Sequence, residues 1–337
     1  MKKTKAAIIG ASGYSGQELI RLLLRHPHVE ITDFTSRQYA GKAVAEVFPR
    51  FRGQVDATFV EPNVDRLGAD VAFLALPHGV AAEFAPALLR KGITVLDLSA
   101  DFRLKSATVY KEFYEHDHPA PGLLAQSVYG LPELHRDQIR GAKLVACPGC
   151  YPTSIILGAA PAIKKGLGKP DSITVTSLSG ISGAGRKVAE EYLFTECNES
   201  ARAYGIPKHR HLGEIEQELS WLAGSQVTIS FTPHLVPLNR GIVSTIYMTL
   251  AKKPEDALAV YRDFYKDEPF VRVTSSLPDT KNVEMTNYCD ISVRIDPRTN
   301  RLIIVSAIDN LTKGAAGQAV QCLNLACGYE ESSGLLP

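Results

Sequence analysis

What this sequence lacks narrows its possible functions considerably. No apolar run approaches the roughly 20 residues that a membrane span needs. The stretch Ala6 to Gly10, behind a charged Met-Lys-Lys-Thr-Lys start, is too short for the apolar core of a secretory leader. Charge of either sign is not in excess. Against 36 acidic side chains stand 37 basic ones, a net charge of +1, so nothing in the balance calls for nucleic acid or an acidic membrane surface. Any anion must be held by local placement of Arg, Lys and backbone N–H groups. Cysteine is sparse, six residues at scattered positions that make no disulfide framework. Cys147 and Cys150 form one C-x-x-C, but a structural zinc site would need a second such pair, so no metal is expected. No internal repeat or low-complexity tract is present. The expectation is a cytoplasmic protein whose partner is a small molecule.

At 337 residues, with 45% hydrophobic and 22% charged side chains, the chain has material for two domains. The first part alternates strand and helix as a parallel α/β sheet does. Ala6–Gly10, Val29–Thr35, Asp70–Leu76, Thr94–Leu98 and Lys143–Ala146 read as strands. Gln17–Arg25 and Val80–Lys91 read as helices. After about Asp171 the strands lengthen and alternate: Ser172–Leu178, Gln226–Pro233, Ile242–Leu250, Cys289–Ile295 and Leu302–Ile308. His211–Ala223 and Pro254–Lys266 are predicted helices among them, and Gly314–Leu325 is a final helix able to return to the first domain. The fold class is therefore α/β, a nucleotide-type domain followed by an α+β domain on a mixed or antiparallel sheet.

The run Cys-Pro-Gly-Cys-Tyr-Pro-Thr at 147–153 carries the chemistry. A short strand precedes it and a helix follows, and Pro152 falls in a first turn, where proline is tolerated. Cys150 thus lies near a helix N-terminus, where N–H groups and the helix dipole favour thiolate. A thiolate there can attack a carbonyl carbon while the N–H groups stabilise the oxyanion. The plain alternative is a buried structural thiol, the reading given to Cys197, Cys289, Cys322 and Cys327. A redox dithiol of Cys147 with Cys150 is a further alternative.

A second motif lies between the first strand and the first helix: Gly10, Ser12, Gly13, Tyr14, Ser15 and Gly16 belong to a G-x-x-G-x-x-G turn. It departs from the usual G-x-G-x-x-G, but glycines there still let a pyrophosphate approach a helix N-terminus. At the end of the second strand, Ser36 and Arg37 suit a ribose 2′-phosphate, which favours NADP, while Asp33 keeps NAD open.

Together these motifs resemble the N-acetyl-γ-glutamyl-phosphate reductase family. The resemblance runs through GASGYSGQEL at 10–19, ALPHG at 75–79, DLSADFRL at 97–104, YGLPEL at 129–134 and PGCYPT at 148–153. It continues in SGISGAGR at 179–186, HRHLGEIEQ at 209–217, FTPHLVPLNRGI at 231–242 and NLTKGAAGQAVQ at 310–321. It implies a Rossmann NADP-binding domain over 1–149 and 310–337, interrupted by a catalytic and dimerisation domain over 150–309, in a homodimer or homotetramer. It implies NADPH-dependent reductive dephosphorylation of an acyl phosphate through a Cys150 thioester. His211 is preferred for proton transfer with His209 second, because imidazole titrates near neutrality; the sequence does not separate them. For the substrate's anionic groups the candidates are Arg103, with Ser99 beside it, then Arg186 with Lys187, and Arg240. Ser182, Gly183 and Asn310 are cofactor contacts by the same resemblance. One departure stands out, since Cys147 occupies a position where Asn or Thr is expected.

Three other readings compete. Aspartate-semialdehyde dehydrogenases share the fold but carry a Gly-His-Ser run, and Pro237 to Ile242 has no histidine. A reductase of a carrier-bound aminoadipyl phosphate shares the motifs, but it would call for a basic docking surface, and a net charge of +1 gives that no support. A non-catalytic dinucleotide sensor would not need Cys150, His209 and His211 together.

Overall fold

A computed structural model describes residues 3–186 and 188–336. The chain divides into two compact units. The first comprises the chain up to Ala107, Asp117–Pro148, and the chain from Ala315 onward; the second comprises Thr108–His116 and Gly149–Gly314. The sequence-based bounds differ from these units in three places: Thr108–His116 and Gly149 join the second unit, and the return to the first comes after Gly314 rather than at Asn310.

Strands β1 (Thr4–Ile9), β2 (Val29–Thr35), β3 (Val71–Leu74), β4 (Thr94–Asp97), β5 (Val128–Tyr129) and β6 (Leu144–Ala146) form the sheet of the first unit, in the order β2-β1-β3-β4-β6-β5. Every pairing in it is parallel. Such a sheet is covered on both faces, so its strands read as continuous apolar runs: Ala6 to Ile9 and Val71 to Leu74 are all buried. Order reverses beside β1, and in open α/β sheets the ligand crevice lies outside the strand C-termini at that point. The two-residue β5, not anticipated from the sequence, takes the edge beside β6.

The helices long enough to matter here are α1 (Tyr14–Leu23), α2 (Ala81–Arg90), α3 (Ala107–Tyr114), α4 (Pro132–Ile139), α5 (Cys150–Lys164), α6 (Leu212–Ala223), α7 (Ala257–Phe264) and α8 (Gly317–Ala326). In the first unit, Ala81, Ala85 and Leu88 of α2 bury the helix against Ala7, Ile9, Ala72 and Leu74 of the sheet. The final helix starts at Gly317 rather than Gly314, because Thr312–Ala316 forms a π turn. Cys322 is buried within α8, whereas Cys327 is its half-buried C-cap.

The second unit holds β7 (Thr174–Gly180), β8 (Arg202–Ala203), β9 (Ser230–Val236), β10 (Ile242–Thr249), β11 (Val271–Val273), β12 (Cys289–Asp296) and β13 (Arg301–Ile308), in the order β11-β12-β13-β10-β7-β9-β8. The sheet is mixed: β7 with β9 and β11 with β12 run parallel, the rest antiparallel. Helix α5 lies on one face and is apolar all round, with Tyr151 through Ile163 buried. Gly158 permits this contact, since a Cβ there would stand 2.7 Å from Ile246 Cδ1. Serine hydroxyls line the same seam, Ser154 to Ser244 at 3.0 Å and Ser177 to Ser244 at 2.7 Å. The opposite face carries the exposed Leu178 and Tyr247 with half-buried Thr176, Val243, Thr245, Ile303 and Val305.

Candidate active site

The glycine turn of the first unit has the geometry a dinucleotide requires. Gly10 has φ +90°, and a Cβ there would stand 2.3 Å from Ala75 O, so only glycine fits. A Cβ at Gly16 would lie 2.6 Å from Gly10 O, so the third glycine lets α1 pack onto its own turn. Gly13 is the N-cap of α1 and is extended, with no side-chain cap and no acidic residue in the first turn, which leaves the helix start facing outward. A cavity of about 340 Å³ opens there, lined by Gly10, Ser12, Gly13, Thr35, Ser36 and Arg37, with Ala75, Leu76, Pro77, Val80 and Phe84 opposite. Tyr14, Ser15 and Gly16 form the first turn of α1 and do not line it.

Ser12 and Ser36 hydroxyls are 2.9 Å apart, tying the turn to the end of β2, and Arg37 is exposed at the cavity wall. Asp33 lies earlier in β2, takes the Thr32 hydroxyl at 2.7 Å, and is absent from the cavity lining. The far wall is held by Asp101, whose carboxylate accepts from Gly79 N–H at 2.6 Å and Ala82 N–H at 2.9 Å.

Asp97 opens the DLSADFRL segment and is fully buried. Its carboxylate accepts from Ser99 N–H at 2.8 Å and Ser99 Oγ at 2.9 Å. Burial, and then the Asp101 charge, push it up to about 7. Arg103, in the same unit, is 6% exposed and donates from Nε to Cys147 O at 2.8 Å and from Nη2 to Leu98 O at 2.9 Å. Both candidates from this segment are therefore engaged with protein groups. Cys147 is fully buried, and its N–H donates to Asp97 O at 2.8 Å.

In the second unit Cys150 is the first residue of α5 and is half-buried. Gly149 is its N-cap, again extended, with no side-chain cap and no acidic residue in the first turn. Thr153 Oγ1 donates back to Gly149 O at 3.0 Å. The Gly149 N–H donates to the buried Glu214 carboxylate at 2.9 Å, so the start of α6 fixes the start of α5. Gly314 packs over the nucleophile: a Cβ there would lie 2.8 Å from Cys150 Cβ.

The two histidines flank α6 differently. His211 is the N-cap of α6, and its N–H donates to His209 Nδ1 at 3.1 Å. That nitrogen must carry a lone pair, and burial, reinforced by the Arg210 charge, pulls His209 down to about 4. His209 is boxed by Tyr151, Tyr204 and Phe231, with ring centroids 5.5–5.6 Å away, and the His211 ring is 4.9 Å from it.

The remaining candidates of this unit form a latch. Asn310 accepts from Gly241 N–H at 2.7 Å and donates to Ser182 Oγ at 3.0 Å, which joins β10 to the 181–184 turn. Gly183 is exposed beside it. Arg240 grips Asp309 with Nε at 2.9 Å and Nη2 at 3.1 Å, and also reaches Thr312 Oγ1 at 3.1 Å. Arg186 is exposed, and Lys187 lies outside the described residues. Sequence reasoning did not single out Glu214, Tyr204, Asp309 or Gly314. Only Glu214 had a signal, three residues after His211, where a helix was expected to start. Among the described residues no metal-binding cluster of His, Cys, Asp and Glu occurs, and no helix is long and apolar enough to cross a membrane.

Comparison with known proteins bears on the same two segments. Residues 5–142 match the semialdehyde dehydrogenase NAD binding domain, and residues 150–310 match the semialdehyde dehydrogenase dimerisation domain. N-acetyl-gamma-glutamyl-phosphate reductase of Akkermansia muciniphila is 53% identical over 99% of both chains. That of Desulfotalea psychrophila is 54% identical over 98% of this chain and 97% of its own. The chain belongs to the N-acetyl-γ-glutamyl-phosphate reductase family. The family fold extends to distant structures. Aspartate semialdehyde dehydrogenase II of Vibrio cholerae superposes with a TM-score of 0.73 at 18% identity, covering 97% of this chain and 99% of its own. The Candida albicans aspartate semialdehyde dehydrogenase with NADP gives 0.71 at 18% identity, covering 96% and 98%. At that identity the likeness concerns the fold alone.

Proposed function

We propose that this chain is an NADPH-dependent reductase that converts N-acetyl-γ-glutamyl phosphate to N-acetylglutamate semialdehyde and inorganic phosphate, the third step of arginine biosynthesis from glutamate. The observation that carries the reading is Cys150 as the first residue of α5, with the histidines of the α6 start in the same unit. The cavity beside Gly10, Gly13, Ser36 and Arg37 fits NADPH: a glycine turn in which Gly10 admits no Cβ, a bare helix start for the pyrophosphate, and a guanidinium for the 2′-phosphate. The cofactor supplies hydride.

The chain's own residues do the rest. Cys150 attacks the acyl carbon as thiolate, a C–S bond forms, and the C–O bond to phosphate breaks to give a thioester. The first N–H groups of α5 stabilise the oxyanion on the way. After reduction, the thiohemiacetal oxygen gives up its proton and the C–S bond breaks, releasing the aldehyde and the thiolate. We assign that proton transfer to His211. His209 is held neutral with its Nδ1 occupied by the His211 N–H, a role of positioning. Arg103 with Ser99, and Arg186 and Arg240, are our candidates for the substrate's phosphate and carboxylate, and Ser182, Gly183 and Asn310 for shaping the cofactor's reactive end. The domains we propose are 1–149 with 310–337 for the cofactor and 150–309 for catalysis and dimerisation.

We further propose a homodimer, or a homotetramer built from it, formed through the sheet face bearing Leu178, Tyr247, Val243 and Val305. The match of residues 150–310 to a dimerisation domain supports this. A chemistry that needs the Cys150 thiol kept reduced suits the cytoplasm. The test is phosphate-dependent reduction of NADP by the purified protein with N-acetylglutamate semialdehyde, with and without Cys150→Ala. Activity in both proteins, or in neither, overturns the reading.

A further inference from the structure

Beside the nucleophile lies a line of hydroxyls that the reaction as described does not use. Tyr204 donates its phenol proton to the Tyr151 hydroxyl at 2.9 Å. Ser179, which acts on the Tyr151 phenol from its other side, commits its own proton to Gly180 O at 3.0 Å. A carbonyl oxygen only accepts, so Ser179 presents Tyr151 with an oxygen rather than a proton. The Tyr151 oxygen in turn accepts from Tyr204. The outer end of the line is the Tyr204 oxygen, which still has a lone pair to offer and no proton to give. Neither phenol ionises near neutrality: burial pushes Tyr204 up to about 12 and Tyr151 higher still. The polarity therefore holds throughout the working pH range.

The line ends beside the chemistry. Both phenols sense the Cys150 charge, and the Tyr204 ring stands edge-on to His209 at 5.5 Å. Tyr151 is 2% exposed, whereas Tyr204 is half-buried, so the accepting end is the one a ligand can reach. Its backbone is anchored by the Tyr204 N–H to Pro233 O at 3.1 Å, and Gly205 follows in the left-handed region (φ +61°), where a Cβ would strike His209 Cδ2 at 2.9 Å. The backbone that carries the ring is thus fixed on both sides of Tyr204.

We propose that Tyr204 Oη is the acceptor for the amide N–H of the substrate, and so determines specificity for an acylated amino group. This rests on the function proposed above. The substrate of that reaction has one N–H, in its acetamido group, a few carbons from the acyl carbon that Cys150 attacks. A site offering a pre-oriented acceptor rewards that donor and gains nothing from an analogue that lacks it. The Arg210 charge acts on the same phenol, and its sign is the one needed near the carboxylate that shares a carbon with the amide nitrogen.

The experiment compares two aldehydes in the phosphate-dependent oxidation direction: N-acetylglutamate semialdehyde, and 5-oxopentanoate, which keeps the carboxylate and aldehyde but has no amide. Wild type and Tyr204→Phe are assayed with both, and the ratio of the two kcat/KM values is read, a quantity independent of how much of each preparation is active. The expected result is a wild-type preference for the amide substrate that falls roughly fivefold in Tyr204→Phe. Tyr151→Phe, which removes the group that orients Tyr204, should reduce the same ratio. An unchanged ratio in Tyr204→Phe overturns the proposal, whether both rates fall together or neither falls. Wild-type protein that oxidises neither aldehyde would instead defeat the underlying functional reading.

Discussion

Helices α1 and α5 begin in the same way in two different units. Each is capped by an extended glycine, φ −75° and ψ 172° at Gly13, φ −69° and ψ 160° at Gly149, with no side-chain cap and no acid in the first turn. Helix α7 shows the usual arrangement instead, with the Asp256 carboxylate accepting from Leu258 and Ala259 N–H. With glycine at the cap, leaving out the side-chain bond forgoes only roughly a few tenths of a kcal/mol of helix stability and leaves the first N–H groups available to a bound anion. What distinguishes the two starts is what surrounds them. The α1 start is bare: three glycines shape its turn and it faces a cavity. The α5 start puts a thiol at its first position, fastens its cap to Glu214 and lies under Gly314. One arrangement suits holding a phosphate unchanged, the other suits attacking a carbon and stabilising the charge that results.

The largest effect should come from removing what makes the second start reactive. Cys150→Ser is expected to lower turnover by at least about 10³-fold, with NADPH affinity, read by nucleotide fluorescence, largely intact. A near-normal rate would make the two helix starts functionally alike and end the comparison. Gly314→Ala tests the roof over the thiol. Its Cβ would press on Cys150 Cβ at 2.8 Å, and displacing the nucleophile by even part of an ångström should cost on the order of 10²-fold in kcat. If KM moved and kcat did not, Gly314 would be shaping the substrate's place instead.

At the first start, Arg37→Ala removes a charge-assisted contact worth about 1.5–3 kcal/mol, so KM for NADP should rise roughly 10–100-fold. The KM for NAD should barely change, and equal effects on both would show that Arg37 does not read the phosphate. A subtler effect concerns Asp97, held near 7 by burial and by Asp101. Its folded form binds a proton more tightly than the unfolded chain, so this contribution to stability is full in acid and lost as pH rises through about 7. Asp97→Asn should therefore raise Tm relative to wild type at pH 8 and much less at pH 4.5. A pH-independent difference would mean that Asp97 enters the fold already ionised. The smallest effect is expected from Cys147→Asn, which should keep its activity under reducing conditions. Severe loss with circular dichroism unchanged would mean that Cys150 needs the second thiol.

Much of this was legible in the residues because the signals are local. Val29 to Thr35 coincides with β2, and the other long strands lie within a few residues of their expected bounds, because a buried parallel strand is a continuous apolar run and a half-buried one alternates. Elements whose stability comes from partners were not legible. The two-residue β5, β8 and the short β11 have too little pattern to detect. Helix α3 exists in the second unit because Phe113 packs where Gly213 leaves room, a fact about residue 213 rather than about the segment itself.

The candidate site divides the same way. The chain by itself determined that Cys150 opens a helix and that glycines front another, since helix starts and backbone freedom are written within a few neighbouring residues. It could not separate His209 from His211, two alike side chains two positions apart. The folded chain places them differently: Tyr151, Tyr204 and Phe231 arrive from other elements to box His209, burial pulls its imidazole down to about 4, and its Nδ1 takes the His211 N–H. Likewise Arg240 and Asn310 are marked in the sequence only as polar groups. That Arg240 grips Asp309, and that Asn310 joins Gly241 to Ser182, was settled by chain segments far apart in sequence meeting in space, where an unsatisfied buried polar group is too costly to leave without a partner.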